Sequence, residues 1–265
     1  MMKYEIGFIG CGNMGGALAR AVAKNVSGER IALCDLSLEK ASALASDIGA
    51  VAVSVEELVR ESRFVVLGVK PQVLADTVST FRALLRSEQV VISMAAGVSI
   101  ATLREYCGAG TRVIRIMPNT PASLGEGVIL YVPDAITVAE EQAFLSHFAA
   151  AGMIDKIEES RIDAASALSG CGPAFAYIFA EALADSAVEC GIPRDKAIAY
   201  AARTLCGAAR MVEEYGNPAT LKDAVCSAGG STIAGVHALE KGGLRAAVMD
   251  AVTAAYHRTV ELGKK

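Results

Sequence analysis

The chain has 265 residues, of which 53% are hydrophobic and 20% are charged, and its formal net charge is −4 at pH 7. This composition excludes a disordered chain and supplies a core for one large domain or two ordinary ones. The acidic balance and the lack of a basic run argue against nucleic acid as a partner. Seven cysteines are scattered without a C-x-x-C pair, which is typical of reduced cytoplasmic thiols and predicts neither a disulfide framework nor a metal site.

The mean hydropathy of +0.40 is high for a soluble protein and raises the question of a membrane span. Windows of about twenty residues all contain charges, however, so no span is expected. Even the apolar stretch from Pro173 to Gly191 carries three acidic residues. The N-terminus leads directly into a strand-like run, so we expect no signal peptide. These features predict a cytoplasmic protein whose excess hydrophobicity lies in a subunit interface.

The sequence is organised around residues 4–20, where a short apolar run of strand length meets a helical pattern. Gly10, Gly12 and Gly15 lie between them in the spacing G-x-G-x-x-G, which permits a tight turn, close approach of a pyrophosphate and close helix packing. Asp35 ends the next apolar run and is placed to bind the adenosine ribose hydroxyls. A tight turn without a ligand is the alternative, but the context predicts a dinucleotide site. The expected contacts are Gly10, Cys11, Gly12, Asn13, Met14, Gly15 and Asp35.

Apolar runs alternate with helical patterns up to about Glu158, which predicts a doubly wound, Rossmann-like α/β domain over residues 1–161. The runs are continuously apolar, as expected for a parallel sheet covered on both faces. They lie at Ile6–Ile9, Ile31–Cys34, Phe64–Val69, Val90–Met94 and Val113–Met117, followed by a βαβ-like piece of Val128–Val132, Val138–Ala149 and Ile154–Ile157. Ser37 is expected to cap a helix that ends at Gly49, and Ser54 with Glu57 to form a capping box.

After Arg161 the pattern becomes alanine-rich and helical, which predicts an all-α domain over residues 162–265. The helical segments are Pro173–Cys190, Arg194–Glu214, Pro218–Cys226, Thr232–Glu240 and Leu244–Leu262. The first of them is apolar around most of its circumference and needs burial on several sides. A domain of about 100 residues can hardly supply that burial alone, so we expect a homodimer through this region. A central helix of a monomeric bundle is the alternative.

Three further loops follow predicted strands at the carboxyl edge of the sheet, where open α/β sheets bind ligands. In the first loop Lys70 can face a cofactor, and in the second the small residues Ala95–Gly97 leave room for a flat ring. In the third, two prolines stiffen the polar pair Asn119–Thr120. A surface lysine and simple turns are the alternatives. The candidate cofactor contacts in these loops are Val69, Lys70, Pro71, Ala95, Ala96, Gly97 and Asn119.

Two glycine-rich segments open helices in the second half of the chain. Ser169 to Pro173 precedes one helix, and Ser227 to Thr232 precedes another. Glycines followed by hydroxyls at a helix N-terminus suit a phosphate or a carboxylate, although a flexible turn with an N-cap has the same spacing. The candidate substrate contacts are Ser227, Gly229, Gly230, Ser231 and Thr232.

Several other chemistries lack support in the sequence. None of His147, His237 and His257 lies in a glycine-rich loop or pairs with an acid at a recognisable spacing, so a His–Asp pair for hydroxy-acid oxidation is not indicated. The sequence contains no metal-ligand cluster and no G-x-S-x-G elbow.

Together these motifs resemble the pyrroline-5-carboxylate reductase family over essentially the whole chain. The most specific match is Pro218 to Glu240, which is similar to the family signature. The glycine turn, Val69–Pro71, Met117–Pro121 and Ser169–Ala174 support it. The resemblance implies an N-terminal dinucleotide domain and a helical domain that interlocks into a dimer, with dimers often forming decamers. It also implies hydride transfer from NAD(P)H to the C=N carbon of 1-pyrroline-5-carboxylate, which gives L-proline.

This substrate carries a carboxylate and a cyclic C=N bond, so its site should consist of polar donors. Backbone N–H groups of Gly230, Ser231 and Thr232 suit the carboxylate, and the Ser227 hydroxyl closes the cradle. The Thr232 hydroxyl can accept from an iminium N–H or donate to an imine nitrogen. Thr232 and Ser227 are therefore the predicted catalytic residues.

The sequence departs from the family pattern at two places. Cys171 replaces the serine common in relatives. Asp35 is expected to repel a 2′-phosphate, and the turn Leu36–Glu39 holds no arginine to receive one, so NADH is favoured over the NADPH that many members use. A β-hydroxyacid dehydrogenase is one rival, but Pro173 to Asp195 lacks the lysine that those enzymes carry. A non-catalytic NAD(P)-binding sensor is another, and it would need no hydroxyl-lined cradle.

Overall fold

The computed structural model describes residues 2–263, which contain an eight-stranded sheet and twelve α-helices. The strands are β1 (Tyr4–Ile9), β2 (Ile31–Cys34), β3 (Val51–Ala52), β4 (Ser62–Leu67), β5 (Val90–Ser93), β6 (Arg112–Met117), β7 (Gly127–Asp134) and β8 (Gly152–Lys156). The helices are α1 (Asn13–Val22), α2 (Leu38–Ile48), α3 (Val55–Glu61), α4 (Pro71–Phe81), α5 (Ile100–Cys107), α6 (Val138–Phe148), α7 (Glu159–Ser169), α8 (Gly172–Glu189), α9 (Arg194–Tyr215), α10 (Pro218–Ala224), α11 (Ser231–Lys241) and α12 (Leu244–Gly263).

The sheet confirms the predicted doubly wound α/β fold. Its order is β3-β2-β1-β4-β5-β6-β7-β8, whose first six strands follow the order of dinucleotide-binding sheets. Neighbouring strands are parallel except β6 and β7, which are antiparallel. The sequence predicts strands of a parallel sheet, and the β6–β7 pair departs from this because residues 118–126 are too few for the helical crossover that parallel strands require.

Alternate residues of the central strands enter two apolar layers, one on each face of the sheet. On β4, Phe64 and Val66 pack in one layer, while Val65 and Leu67 pack in the other. This double burial explains why the strands are continuously apolar.

The predicted helix caps are correct in part. The Ser37 hydroxyl accepts a backbone N–H at the start of α2, and Gly49 ends that helix with a φ of 69°. The Ser54 hydroxyl likewise accepts the N–H of Glu57. The Glu57 carboxylate does not complete the predicted capping box, however, because it accepts the hydroxyl of Tyr4 instead.

The chain divides into two compact units. Unit 1 runs through Cys171 and includes the residues from Ala255 onward, and unit 2 is Gly172–Ala254. The boundary predicted after Arg161 falls inside α7, a helix that was not predicted and that packs against β7. A division of function at Arg161 stays a prediction.

Unit 2 has very little core within a single chain. Its buried apolar residues are Ala184, Ala197 and Ala201, at the contact of α8 with α9. Tyr177 and Ile178 of α8 are 63% and 66% exposed. Apolar side chains of this size stabilise a fold only when they are removed from water, so these exposed ones contribute nothing within a single chain. Unit 2 therefore requires a partner surface.

One helical segment of the described residues, Glu159–Glu189, has the length and composition of a membrane span. Only 11% of its most apolar 18-residue stretch is buried. Gly170 and Cys171 interrupt it between α7 and α8. An apolar helical surface of this kind is also what a subunit interface requires.

Glu5, at the start of β1, joins three basic side chains. Its carboxylate accepts from Arg63 at 2.8 Å and Arg30 at 2.9 Å, and lies 3.1 Å from the His147 ring. Burial opposes ionisation, but the His147 hydrogen bond and the Arg63 charge outweigh it and hold the pKa of Glu5 below its usual range. The charged form is therefore stabilised by folding.

We expect Glu5→Gln to lower the free energy of unfolding at pH 7 by about 1–3 kcal/mol, because it removes the charge that the basic groups pair with. Since the folded pKa is depressed, this stabilisation is present above the unfolded pKa of about 4.3 and is lost as pH falls further. Urea unfolding at fixed protein concentration from pH 7 to pH 3 measures it. The exposed Glu29→Gln variant is the control, and equal curves for both variants would refute the assignment.

Candidate active site

The turn between β1 and α1 has the geometry that the glycine spacing predicted. Gly10 has a φ of 104°, and a Cβ atom there would lie 2.7 Å from the carbonyl oxygen of Gly68. A Cβ on Gly15 would overlap the carbonyl oxygen of Gly10. These two glycines are required because backbone touches backbone where α1 crosses β1 and the end of β4.

Gly12 differs from them because its surroundings are open. It is the exposed N-cap of α1, and no heavy atom lies within 4 Å of the position of a Cβ. The first N–H groups of α1 have no acceptor within the helix, and they form its positive dipole end. This open helix start can receive a diphosphate.

A groove of about 470 Å³ lies over this helix start. Its lining includes Cys11, Gly12 and Asn13, which were predicted, together with Arg20 and Lys40, which were not. Asn13, Ala17 and Arg20 share one face of α1 at helical spacing, and this signal was present in the sequence. Arg20 donates from Nε to Asp47 at 2.8 Å. The groove therefore offers two cations to an anionic ligand.

Asp35 supports the glycine turn directly. Its Oδ2 accepts from the backbone N–H of Cys11 at 2.7 Å, and its Oδ1 accepts from that of Ser37 at 2.9 Å. Burial and the nearby Asp35 charge raise the pKa of the Cys11 thiol to about 12, so this cysteine stays protonated and unreactive. The predicted contact of Asp35 with ribose hydroxyls stays a prediction, to be made with its remaining lone pairs.

The loops after β4 and β5 lie beside this turn because their strands are neighbours. Ile9 pairs with Leu67, and Leu67 with Ser93, at the carboxyl ends of three adjacent strands. Val69 is half-buried, while Lys70 is the exposed N-cap of α4 and precedes Pro71 in the first turn. In the next loop, Ala95 is 2% exposed, Ala96 is half-buried and Gly97 has a φ of 73°. The predicted loops are thus gathered at one edge.

The Asn119 side chain is held by two backbone groups, and its predicted contact with the cofactor stays a prediction. Its side chain is buried, donates to the backbone carbonyl of Ser169 at 2.9 Å and accepts the N–H of Val128 at 2.8 Å. The amide therefore holds the loop after β6 between α7 and β7. Sequence reasoning missed these two contacts because both partners are distant in sequence.

The predicted substrate cradle forms the start of α11 in unit 2. Gly229 has a φ of 68°, and Gly230 is the N-cap. The side chains of Ser231 and Thr232 are exposed. Their backbone N–H groups lie in the first turn of the helix and so have no acceptor within it. The N–H of Gly230 is not free as predicted, because it donates to the carbonyl of Ser227 at 3.0 Å. Ser227 also places its hydroxyl against the Gly230 Cα, where any Cβ would overlap it.

Metal chemistry and disulfides find no support within residues 2–263. No group of three or more His, Cys, Asp or Glu side chains in this part of the chain is placed to hold a metal ion. The cysteines there are free thiols.

Comparison with known proteins covers both units. Residues 159–262 match the family model described as pyrroline-5-carboxylate reductase dimerisation, and residues 5–97 match the one described as NADP oxidoreductase, coenzyme F420-dependent. A pyrroline-5-carboxylate reductase from Methanosarcina acetivorans is 42% identical, with 100% of each chain covered. One from Escherichia coli is 37% identical, with 99% of this chain and 100% of the relative covered. The crystal structure of a Plasmodium falciparum pyrroline carboxylate reductase with NADP bound matches with a TM-score of 0.90 at 31% identity, covering 99% of each chain.

The sheet order, the glycine turn and the groove above it define an NAD(P)-dependent oxidoreductase of the Rossmann type. Full-length identity with named reductases then shows that the chain belongs to the pyrroline-5-carboxylate reductase family. Membership identifies the reaction as reduction of 1-pyrroline-5-carboxylate to proline, and the helical region as a dimerisation domain.

Two glycine variants separate the fold from the cofactor site. Gly15→Ala should destabilise the protein, because the new methyl group overlaps a backbone carbonyl. Gly12→Ala should leave the thermal midpoint unchanged and weaken NAD(P)H binding about tenfold or more, because the methyl group enters only the path of the pyrophosphate. Thermal unfolding and cofactor fluorescence titration measure the two effects.

Gly110→Ala is the matched control, since its surroundings are also open but it lies before β6. It should change neither quantity. Unaltered cofactor affinity in a folded Gly12→Ala protein would contradict the assignment of the diphosphate site.

Proposed function

We propose that hydride transfer takes place between a nicotinamide held at the carboxyl edge of the sheet and a substrate held at the start of α11. The observation that carries this proposal is the open N-terminus of α11, with the hydroxyls of Ser227, Ser231 and Thr232 grouped there. A chain that only sensed a dinucleotide would need no such group.

The substrate carboxylate is bound by the N–H groups of Ser231 and Thr232 in this arrangement. Both belong to the first turn of α11, where the helix dipole favours a negative charge. Gly230 contributes shape rather than a donor, because its N–H is already bonded to the carbonyl of Ser227. The Ser227 hydroxyl lies on the same side and closes the cradle. No arginine is needed for this recognition.

The reaction requires a hydride at the C=N carbon and a proton at the ring nitrogen. The reduced nicotinamide supplies the hydride and becomes NAD(P)⁺, and a protonated imine brings the proton from solution. The protein then has mainly to position the two reactants, with the reacting atoms about 3–3.5 Å apart. The Thr232 hydroxyl accepts from the iminium N–H and so orients the ring. Thr232 and Ser227 are the proposed catalytic residues.

Thr232→Ala should lower kcat/KM for 1-pyrroline-5-carboxylate about ten- to a hundredfold, the effect of losing one positioned hydrogen bond. Cofactor affinity should change little, because the hydroxyl faces the substrate. Steady-state kinetics and cofactor titration of the dimeric protein measure both. Thr80→Ala, which removes an exposed hydroxyl of α4, is the control. An unchanged kcat/KM in the folded Thr232 variant would remove this residue from the mechanism.

The cofactor preference is proposed to lie with NADH. The Asp35 carboxylate repels a 2′-phosphate, while Arg20 and Lys40 in the groove attract one. The Arg20 charge is partly compensated by Asp47, and the Lys40 side chain is exposed and screened by salt. The fixed carboxylate next to the turn therefore has the larger effect.

NADH should accordingly be accepted at least as well as NADPH. Asp35→Ser should shift the ratio of kcat/KM toward NADPH, because it removes the negative charge, and Lys40→Ala should shift it toward NADH. Kinetics with both cofactors at low and physiological salt measure these ratios. A large NADPH preference in the unaltered protein would contradict the proposal.

The dimer is proposed to build each site from one protomer's cofactor and the partner's α11 cradle, with dimers assembling further, up to a decamer. The support is the coreless surface of unit 2, which needs a partner that also brings a second cradle. Sedimentation velocity measures the assembly, and a stable, active monomer at micromolar concentration would overturn it.

We also propose a soluble cytoplasmic location without membrane or nucleic-acid partners, since the apolar surface of α8 is used between protomers and the net charge is −4.

A further inference from the structure

The loop after β5 is a tight turn that leads into α5. The N–H of Ala95 donates to the Ser93 hydroxyl at 3.3 Å, and the N–H of Val98 donates to the carbonyl of Ala95 at 3.4 Å. Gly97 has a φ of 73°, which side chains rarely adopt. The proposed function holds the nicotinamide at the carboxyl edge of the sheet, which is where this loop begins.

The last turn of α12 touches this loop backbone to backbone. A Cβ on Gly97 would lie 2.9 Å from the nitrogen of Gly263, and a Cβ on Gly263 would lie 2.6 Å from the carbonyl oxygen of Gly97. Neither position tolerates a side chain without a shift of one backbone. The contact therefore fixes the distance between the end of α12 and the loop.

The first residue of α7 holds the other end of the same loop. Glu159 accepts the N–H of Ile100, the first residue of α5, at 2.7 Å. Its carboxylate lies 3.4 Å from Arg115, whose side chain is 3% exposed and also donates to Asp163. A buried guanidinium with two carboxylates on one helix keeps Glu159 in a single orientation.

Glu159 is also where the match to the dimerisation family model begins, and Gly263 directly follows its last residue. We infer that Glu159 and Gly263 are positioning residues. Through them the first and last helices of the dimerisation region hold in place the loop of residues 95–100, beside which the nicotinamide is proposed to bind. This inference rests on the proposed function of the loop. Neither residue touches the reacting atoms, and both act through the backbone of residues 95–100.

The steric test is Gly263→Val, with Glu261→Ala on the same turn as the matched control. Glu261 is exposed and paired only with Arg258 among the contacts described for it, so its loss adds nothing to the loop contact. Gly263→Val should lower kcat/KM for the cofactor about ten- to a hundredfold, the effect expected of a small misplacement. The KM for 1-pyrroline-5-carboxylate and the sedimentation coefficient should change little. Glu261→Ala should match the unaltered chain.

The hydrogen-bond test is Glu159→Ala, with Glu159→Gln as the conservative variant that keeps an oxygen for the N–H of Ile100. The alanine variant should raise the cofactor KM, and the glutamine variant should restore most of it. A merely structural role would not give this rescue. Unaltered cofactor affinity and kcat/KM in folded, dimeric Gly263→Val or Glu159→Ala protein would overturn the inference.

The unaltered chain separates this inference from the function on which it rests. If it neither binds NADH or NADPH nor oxidises them with 1-pyrroline-5-carboxylate, the proposed function fails. If it does both and the variants behave like it, only the positioning role fails.

Discussion

The contact of backbone with backbone at Gly10, Gly15 and Gly68 is the constraint on which the N-terminal half depends. A helix can begin directly at the end of β1 only if no Cβ atom separates it from the strand and from the neighbouring β4 loop. That close crossing sets the position of the first turn of α1, and so leaves the space around Gly12 open. The Asp35 carboxylate then holds the turn through the N–H of Cys11. The fold of the turn and the proposed diphosphate site therefore depend on the same atoms, because the tight crossing of α1 over β1 also leaves the helix N-terminus open to a phosphate.

The two units differ in how they are stabilised. Unit 1 buries both faces of its sheet in two apolar layers, and it closes the start of β1 with ion pairs around Glu5. Unit 2 buries three alanines within the chain and leaves Tyr177, Ile178 and Met249 exposed. Full burial of one such side chain contributes about 1.5–3 kcal/mol, so a partner protomer can supply the core that unit 2 lacks. Dimerisation would in that way contribute directly to the stability of this region. The proposed substrate cradle is carried by this same region, which is why we propose that each site draws on two protomers.

The charges around the groove are the physical basis of the proposed preference for NADH. Asp35 is fixed by two backbone N–H groups, whereas Arg20 is compensated by Asp47 and Lys40 extends into solvent. A fixed charge near the ligand outweighs mobile and screened ones of opposite sign. Arg115 is a second charge with a fixed position, because it is buried beside the Glu159 and Asp163 carboxylates of α7. It orients Glu159, which accepts the N–H of Ile100 at the end of the loop of residues 95–100.

The sequence by itself determined the features that depend on neighbouring residues. These are the apolar strands, the glycine turn, the caps at Ser37 and Gly49, the helix start at Pro218, and the family, because each is recorded in a local period or spacing. Only the tertiary structure decided which groups were already occupied. The Asn119 amide is bonded to backbone groups on two other elements, Glu57 pairs with Tyr4 rather than with its own helix, and Arg20 reaches a groove shared with Lys40. These contacts join residues far apart in sequence, and one chain carries no local signal for them because each depends on where two separate elements come to lie. The antiparallel pairing of β7 likewise follows from the length of the preceding connection, and the contact of Gly97 with Gly263 joins two glycines that only the packing of separate elements brings together.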